Sequence, residues 1–308
     1  MANFQSIINE IKKVINGKDR AVTLIFLALI ANGNILIEDI PGVGKTTLAV
    51  AFSKVLGLNY KRLQFTPDTL PSDITGFSVY NKETQKLSFV KGAIFCNIFL
   101  ADELNRTSSR TQSALLEAME EHQVTVDGKT FKLENPFSVI ATQNPIGASG
   151  TQLLPDSQTD RFMLKISLGY PEPNDECKIL LNRTSENPMD KLNCLITKEE
   201  LIEIQKSVKE VYVKKEMAEY IVKLIGATRD NPLISRGASP RASLSLLEIS
   251  RANALFKGRD YIVPSDVQNV FLPTISHRIT LNSEAITRKL TAGQILTDIL
   301  KKVTPPKI

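Results

Sequence analysis

The sequence predicts an α/β fold in which a parallel β-sheet carries helices on both faces and is followed by a smaller domain built only of helices. Three observations indicate this fold. A short apolar run enters a glycine-containing loop and then a helical pattern at residues 35–56. Strand-like runs alternate with helical patterns up to residue 168, which is typical of parallel sheets. Pro171 and Pro173 then interrupt the chain, and the remainder has helical patterns.

The predicted first domain, residues 1–172, begins with two helices and contains five core strands. An amphipathic helix over residues 4–15 and a buried helix from Asp19 precede the sheet. The strand-like runs, which are short and mostly apolar, are residues 35–37, 60–65, 98–101, 137–141 and 164–168. Together they are sufficient for a nucleotide-binding core.

Two inserts interrupt this alternation. Residues 70–90 are rich in turn formers, with an expected tip at Thr84, Gln85 and Lys86. Residues 123–133 predict a β-hairpin, because an Asp-Gly pair stands between two alternating runs. We expect both inserts at the surface near the strand ends.

A linker is predicted at residues 173–196 and a helical domain at residues 197–308. Thr197 and Glu200 have the spacing of a capping box that begins a helix. The further helices, recognised by their apolar periodicity, are predicted at about 214–229, 240–256, 264–271 and 283–301.

Composition restricts the class of protein. The 308 residues are 42% hydrophobic and 23% charged, as in globular proteins in water. The longest apolar run, residues 21–31, is too short to cross a bilayer, and no secretory signal is recognisable, so we expect a cytoplasmic protein without a membrane span. Three cysteines and two histidines lack metal-ligand spacing. The net charge of +5 is scattered and tryptophan is absent, so composition does not indicate nucleic-acid binding.

The loop after the first core strand predicts a phosphate site. Its glycines allow backbone N–H groups to point at an anion, and the next helix directs its positive dipole end there. Lys45 adds charge for the β- and γ-phosphates, and Thr46 adds a hydroxyl for Mg²⁺. The general motif has glycine at the position of Asp39, but the strand before and the helix after supply the required context. The predicted nucleotide-binding residues of this segment are Asp39, Pro41, Gly42, Val43, Gly44, Lys45, Thr46 and Thr47.

Two further core strands end in polar residues. Asp102 and Glu103 follow an apolar strand, where Asp102 suits an Mg²⁺ ligand acting through water and Glu103 suits the group that polarises the attacking water. A surface turn rich in acids is the alternative. Asn144 ends another strand and could orient water beside the γ-phosphate, although an Asn-Pro pair is more often only a turn.

Two arginines are further candidates. Arg161 precedes the fifth strand, and a guanidinium acting on a transferring phosphoryl group is worth about 10³–10⁵ in rate in other enzymes. If a neighbouring subunit supplies the Arg161 guanidinium, catalysis depends on a ring. An ion pair between Asp160 and Arg161 at the surface is an equally good interpretation. Arg241 begins a helix of the second domain and could contact the γ-phosphate, but most arginines at helix starts have no such role.

Taken in order, these residues resemble a MoxR-type AAA+ ATPase over nearly all of the chain. The segments that carry the resemblance are Glu38-Asp-Ile-Pro-Gly-Val-Gly-Lys-Thr, Arg62-Leu-Gln-Phe-Thr-Pro-Asp, Leu100-Ala-Asp-Glu-Leu-Asn-Arg, Ala141-Thr-Gln-Asn-Pro, Leu154-Pro-Asp-Ser-Gln-Thr-Asp-Arg-Phe, Gly237-Ala-Ser-Pro-Arg and Gly258-Arg-Asp-Tyr. Two positions depart from the family pattern. Asp156-Ser157 stand in place of Glu-Ala, and Val263, which cannot accept an N–H bond, stands where threonine usually caps the next helix.

The resemblance implies roles for the doubtful residues. Asn144 becomes the nucleotide sensor, Arg161 an arginine finger acting on the neighbouring subunit, and Arg241 the sensor of the lid domain. An aspartate at position 39 is ordinary in this family. Residues 70–90 and 123–133 correspond to its helix-2 insert and pre-sensor hairpin.

The resemblance also implies an activity. It indicates Mg²⁺-dependent ATP hydrolysis in a homo-oligomeric, hexameric ring that remodels a protein client together with a von Willebrand factor A domain partner. Two alternatives stay open: a nucleic-acid motor, to which Lys129 and Lys132 of the hairpin give some support, and a nucleotide-gated scaffold with slow turnover. The preference for ATP over GTP rests on the resemblance alone.

Overall fold

A computed structural model describes residues 4–40, 42–83, 85–144, 154–181 and 188–307. The chain divides into two compact units. The first comprises Met1–Thr23, Asn34–Leu154 and Ile166–Ile202, and the second comprises Leu24–Gly33, Pro155–Lys165 and Glu203–Ile308.

The β-strands are β1 (Ile35–Glu38), β2 (Tyr60–Gln64), β3 (Gly76–Asn81), β4 (Lys86–Lys91), β5 (Ile98–Asp102), β6 (Gln123–Val126), β7 (Lys129–Lys132), β8 (Ser138–Gln143), β9 (Leu164–Ile166), β10 (Ile234–Arg236) and β11 (Thr280–Leu281). The α-helices are α1 (Phe4–Lys12), α2 (Asp19–Ile30), α3 (Lys45–Val55), α4 (Pro71–Thr75), α5 (Ser109–Glu121), α6 (Asp156–Thr159), α7 (Pro173–Leu181), α8 (Lys198–Glu210), α9 (Lys215–Arg229), α10 (Pro240–Phe256), α11 (Pro264–Ile275), α12 (Ser283–Thr287) and α13 (Ala292–Lys302). Short 3₁₀ turns follow β5 at Leu104–Arg106 and precede α8 at Pro188–Lys191.

The central sheet confirms the predicted α/β fold. Among the described residues it has five strands in the order β2-β5-β8-β1-β9. The pairs β2–β5, β5–β8 and β8–β1 are parallel, and β5 and β8 are buried along their whole length. Because parallel strands end at the same edge of a sheet, Gln64 lies opposite Asp102 and Glu38 lies opposite Gln143. The polar strand ends of the sequence therefore gather at one edge.

Both inserts of the first unit are hairpins. Strands β6 and β7 pair across Asp127 and Gly128, whose φ values of 50° and 73° suit the predicted two-residue turn. In the first insert, α4 precedes the antiparallel pair β3–β4. The ring of Phe89 on β4 stacks on Phe131 of β7 with 3.9 Å between centroids, so the two hairpins pack on each other. Thr84, expected at the first tip, lies outside the described residues.

Residues 173–181 and 188–196 of the predicted linker fall within the first compact unit. Residues 173–181 form α7, and Asn193 donates two hydrogen bonds to the carboxylate of Glu10, of 2.9 and 3.1 Å. Leu195 N donates to Val55 O at 2.9 Å. Such contacts join residues far apart in the chain, so the sequence pattern did not reveal them.

The second unit is mainly helical. Its helices include α9, α10, α11 and α13, and an unpredicted antiparallel ladder pairs β10 with β11. The single helix predicted over 283–301 is wrong. Lys289 has φ 56°, and a capping box between Thr291 and Gln294 begins α13 after the break.

The missing threonine cap at Val263 is partly compensated. Val263 offers no side-chain acceptor, but its N–H donates to Asp266 Oδ2 at 3.0 Å, so half of a capping box remains. The fully buried Asp266 also binds Arg259 through two contacts of 2.6 Å. No helix within the described ranges is long and apolar enough to cross a membrane.

Candidate nucleotide-binding site

The loop between β1 and α3 has the backbone that its glycines predict. Gly42 and Gly44 have φ values of 88° and 91°, in the left-handed region that side chains disfavour. A Cβ added at either glycine would meet no atom within 4 Å, so conformation and not crowding requires glycine here. Pro41, predicted between them and β1, lies outside the described residues.

Lys45, the first residue of α3, lies against this loop. Its side chain reaches back so that Nζ donates to the backbone oxygen of Asp39 at 2.6 Å, and the residue is only 8% exposed. Burial lowers the pKa of Lys45, while the charges of Asp39, Asp102 and Glu103 act to raise it. The ammonium group therefore faces the acids of the neighbouring strand ends.

Asp39, which stands in the place of the usual glycine, ties the loop to the end of the sheet. Its buried Oδ2 accepts hydrogen bonds from the N–H groups of Leu168 and Gly169, at 2.5 and 2.7 Å, and from Ser167 Oγ at 3.1 Å. Oδ1 accepts from Ile40 N at 3.0 Å. The carboxylate thus fixes the start of the loop through hydrogen bonds to residues 167–169.

Asp102 ends β5 with its carboxylate bound on both sides. Oδ1 accepts from Thr142 Oγ1 at 2.6 Å. Oδ2 accepts from Arg62 Nε at 3.1 Å and Nη2 at 2.7 Å. Arg62 lies on the adjacent strand β2, and its side chain is 41% exposed. The carboxylate predicted to hold Mg²⁺ therefore carries a guanidinium in this structure.

Glu103 follows directly in a left-handed conformation, with φ 58°. Its Oε2 accepts from Arg106 Nη1 at 2.7 Å, and Oε1 accepts from Asn144 Nδ2 at 3.3 Å. Burial acts to raise the pKa of Glu103, but the hydrogen bonds from Arg106 and Asn144 outweigh it and lower the pKa below its ordinary value. The carboxylate is therefore ionised at neutral pH and fixed between two donors.

Asn144 is positioned by a second asparagine. Asn105 Oδ1 accepts from Asn144 N at 3.3 Å, and Asn105 Nδ2 donates to Asn144 O at 3.2 Å. This reciprocal pair holds the end of β8 beside the 3₁₀ turn that follows β5. Asn144 thereby reaches Glu103.

A cavity of about 350 Å³ lies at this edge of the sheet. Its lining residues are Gly42, Gly44, Lys45, Thr46, Thr47, Arg62, Gln64, Asp102, Glu103 and Asn144. The carboxylate of Asp102 and the hydroxyl of Thr46 are oxygen ligands of the type that Mg²⁺ prefers. The donor set therefore fits a magnesium nucleotide.

The two predicted arginines belong to the second unit. Arg161 follows Asp160, whose Oδ2 accepts from Ser239 Oγ at 2.9 Å. Ser239 is the N-cap of α10, and the exposed Arg241 is the second residue of that helix. Asp160 Oδ1 also lies 2.9 Å from Arg278 Nε. The structure thus brings the segments of Arg161 and Arg241 together within this unit.

Comparison with known proteins identifies the family of the chain. Residues 34–164 match the family of ATPases associated with various cellular activities (AAA), and residues 226–299 match the AAA lid domain. The chain is 36% identical over 308 residues to Chaperone MoxR1 of Mycobacterium tuberculosis, covering 97% of this chain and 81% of the relative. This chain belongs to the MoxR family of AAA+ ATPases.

Two further comparisons extend along nearly all of the MoxR-family chain. The uncharacterised protein YeaC of Bacillus subtilis is 44% identical over 299 residues, which cover 97% of this chain and 93% of YeaC. A crystal structure from Cytophaga hutchinsonii, described as a candidate ATPase, has a TM-score of 0.91 at 36% identity and covers 99% of this chain and 95% of its own. The fold of this chain is therefore closely similar to that of the Cytophaga hutchinsonii protein.

Sequence reasoning on this MoxR-family chain did not assign roles to several residues of the site. Arg62 and Gln64 line the cavity from β2, Arg106 binds Glu103, and Thr142 binds Asp102. Arg62 and Gln64 alternate at the end of the strand that pairs with β5, so the parallel sheet itself could have indicated them. Arg106 stands one 3₁₀ turn after Glu103, a spacing that also brings side chains together.

Proposed function

We propose that this protein hydrolyses ATP in a Mg²⁺-dependent reaction. The observation that carries the proposal is the convergence of the phosphate loop, the acids Asp102 and Glu103, and Asn144 on one cavity. A loop that can bind phosphates lies there beside a fixed carboxylate that can polarise water, which phosphoryl transfer to water requires. ATP rather than GTP follows from the family.

Each residue has a distinct role in this proposal. The N–H groups around Gly42, Val43 and Gly44 and the N-terminus of α3 bind the phosphates, with the charge of Lys45. Thr46 and Asp102 hold Mg²⁺, which when bound offsets the negative charge of the phosphate oxygens.

Glu103 and Asn144 act on the attacking water. The carboxylate of Glu103 accepts a hydrogen bond from the water and increases its nucleophilicity, while the Asn144 amide orients it without competing for the proton. Their contact of 3.3 Å supports a shared position for that water. Arg106 holds the other oxygen of Glu103 and thereby sets the direction of the carboxylate.

The remaining roles depend on assembly. We infer a homo-oligomeric ring, hexameric as the family suggests, in which Arg161 stabilises charge on a neighbour's nucleotide and Arg241 contacts the nucleotide of its own protomer. Because one relative is named Chaperone MoxR1, we extend the proposal to remodelling of a protein client. The proposed von Willebrand factor A domain partner rests on the family resemblance alone. The paired hairpins β3–β4 and β6–β7 are the surface inserts available for that contact.

Steady-state phosphate release with Glu103→Gln tests the proposal. We expect a loss of at least about 100-fold in kcat, because general-base assistance is worth about 10²–10⁴ in rate. Binding of a fluorescent ATP analogue should be retained, which shows that the loop is intact. Turnover at the wild-type rate would remove Glu103 from the mechanism and with it this proposal.

A nucleotide-gated scaffold with slow turnover is the second candidate. It is favoured by one observation: Arg62 and Arg106 each bind one of the two acids on which hydrolysis would depend. Comparing the single-turnover rate with the rate of client release discriminates the two functions. A scaffold would release its partner on nucleotide binding, well before phosphate appears.

A further inference from the structure

A buried arginine fixes the segment that carries Arg161. The side chain of Arg278, which follows α11 in the second unit, is only 1% exposed. Its Nη2 donates to the backbone oxygens of Asp160 and Phe162, at 3.0 and 2.8 Å, and to Ser245 Oγ at 2.9 Å. Nη1 donates to Thr274 O at 3.0 Å. One guanidinium thus binds the backbone on both sides of residue 161.

The adjacent His277 strengthens this attachment. Its buried Nε2 lies 2.9 Å from Phe162 O. Burial lowers the pKa of His277 well below its ordinary value, and the charge of Arg278 acts in the same direction. The imidazole is therefore neutral, and a proton on Nε2 allows it to donate to that carbonyl.

Asp160 extends the same cluster to the start of α10. One carboxylate oxygen pairs with Arg278 Nε at 2.9 Å, an ion pair without hydrogen-bond alignment, and the other accepts from Ser239 Oγ at 2.9 Å. Ser239 Oγ also accepts from Ala242 N, as the N-cap of the helix that presents Arg241. Asp160 therefore joins the backbone of Arg161 to the helix start of Arg241.

The electrostatics of the cluster favour a single arrangement. Burial lowers the pKa of Arg278 to about 10, Asp160 opposes this, and the positive charge of Arg241 adds to it. A buried guanidinium is stabilised by acceptors around it, because an unpaired charge in the interior is costly, and Arg278 has four hydrogen bonds and the carboxylate of Asp160. The carboxylate also lies at the N-terminus of α10, where the helix dipole favours negative charge.

We propose that Asp160 and Arg278 are positioning residues that make Arg161 and Arg241 move as one body. This inference rests on the proposed function, in which Arg241 contacts the nucleotide of its own protomer and Arg161 that of a neighbour. A protomer that binds ATP then sets, through Ser239 and Asp160, the orientation of the arginine that it offers to the next site. The nucleotide state of one site thereby controls turnover at another.

Two substitutions test the cluster in the full chain. Ser239→Ala removes the link between Asp160 and α10, and Arg278→Lys keeps the charge but cannot reproduce four donor contacts. We expect each substitution to lower kcat about fivefold, because it removes roughly one net hydrogen bond that orients Arg161. The KM for ATP should change less than twofold. Ser239→Thr retains the hydroxyl and should restore the wild-type rate.

A matched control separates positioning from loss of stability. Thr291→Ala removes the N-cap of α13, whose Oγ1 accepts from Gln294 N at 3.2 Å, and it does not touch this cluster. It should lower the melting temperature about as much as Ser239→Ala while leaving kcat unchanged. A matching fall in kcat for Thr291→Ala would overturn the inference, since stability alone would then explain the effect.

Hydrogen exchange supplies a readout that does not depend on turnover. With a non-hydrolysable ATP analogue and Mg²⁺, amides at 160–162 and at 241–243 should change protection together in the wild type. In Ser239→Ala the change at 241–243 should persist while that at 160–162 is lost; persistence of both would overturn the inference. If Arg161→Ala kept the wild-type kcat, the proposed function would be contradicted. If Arg161→Ala lowered kcat while Ser239→Ala and Arg278→Lys kept the wild-type kcat, only this inference would be contradicted.

Discussion

Two arginine–aspartate ion pairs, one in each unit, differ in the solvent exposure of the arginine. In the first unit Arg62 binds Asp102 at the wall of the cavity, with 41% of the arginine side chain exposed. In the second, Arg278 pairs with Asp160 and is 1% exposed. Asp102 is itself only 11% exposed, so the two pairs differ in the exposure of the arginine. A guanidinium that is open to solvent can exchange its partners at low cost, whereas a buried one loses them only at high cost. We infer that the Arg62–Asp102 pair can separate, whereas the Arg278–Asp160 pair stays intact.

The largest expected effect is on the free energy of unfolding when the arginine of each pair is replaced by methionine. Arg278→Met should lower the free energy of unfolding by about 3 kcal/mol or more, because it leaves buried acceptors and Asp160 without their partner. Arg62→Met should lower it less, by about 1 kcal/mol, because the guanidinium is already exposed to solvent and Asp102 keeps its hydrogen bond from Thr142 Oγ1. Urea titration followed by circular dichroism measures both. Equal losses in the two variants would remove the contrast between the units.

A smaller effect should sharpen the role of the exposed pair. If Arg62 and Mg²⁺ compete for Asp102, then Arg62→Gln should lower the Mg²⁺ concentration for half-maximal binding of a fluorescent ATP analogue by roughly threefold to tenfold. Lys61→Gln removes a charge from the same strand without contacting Asp102 and serves as the control. A higher Mg²⁺ requirement in Arg62→Gln would instead identify Arg62 as a phosphate-binding group.

The smallest effect concerns the third arginine contact, between Arg106 and Glu103. Because the hydrogen bond from Arg106 helps to lower the pKa of Glu103, Arg106→Gln should raise that pKa. Glu103 then becomes protonated at a higher pH, so the acid limb of the kcat profile should move to higher pH. Arg110→Gln, an exposed change on α5, should leave the profile in place. An unmoved limb in Arg106→Gln would mean that another group governs it.

Much of the first unit could be predicted from local patterns. The strand runs, the hairpin turn at Asp127 and Gly128, and the polar ends of β5 and β8 all follow from apolar periodicity and turn residues. The errors fall where distant contacts decide. Residues 173–196 looked like a linker because nothing nearby reveals the bonds of Asn193 to Glu10. The break at Lys289 was missed because apolar periodicity continued across it.

The sequence by itself determined where the phosphate loop lies and which acids end the core strands, because backbone preferences and periodicity act over a few neighbouring residues. Only the tertiary structure decided which arginine each acid binds. Arg62 lies 40 residues from Asp102 along the chain, and Arg278 lies 118 from Asp160. Such pairings depend on strand order, register and the way helices return to a distant segment, and on how much water the folded chain leaves around each charge.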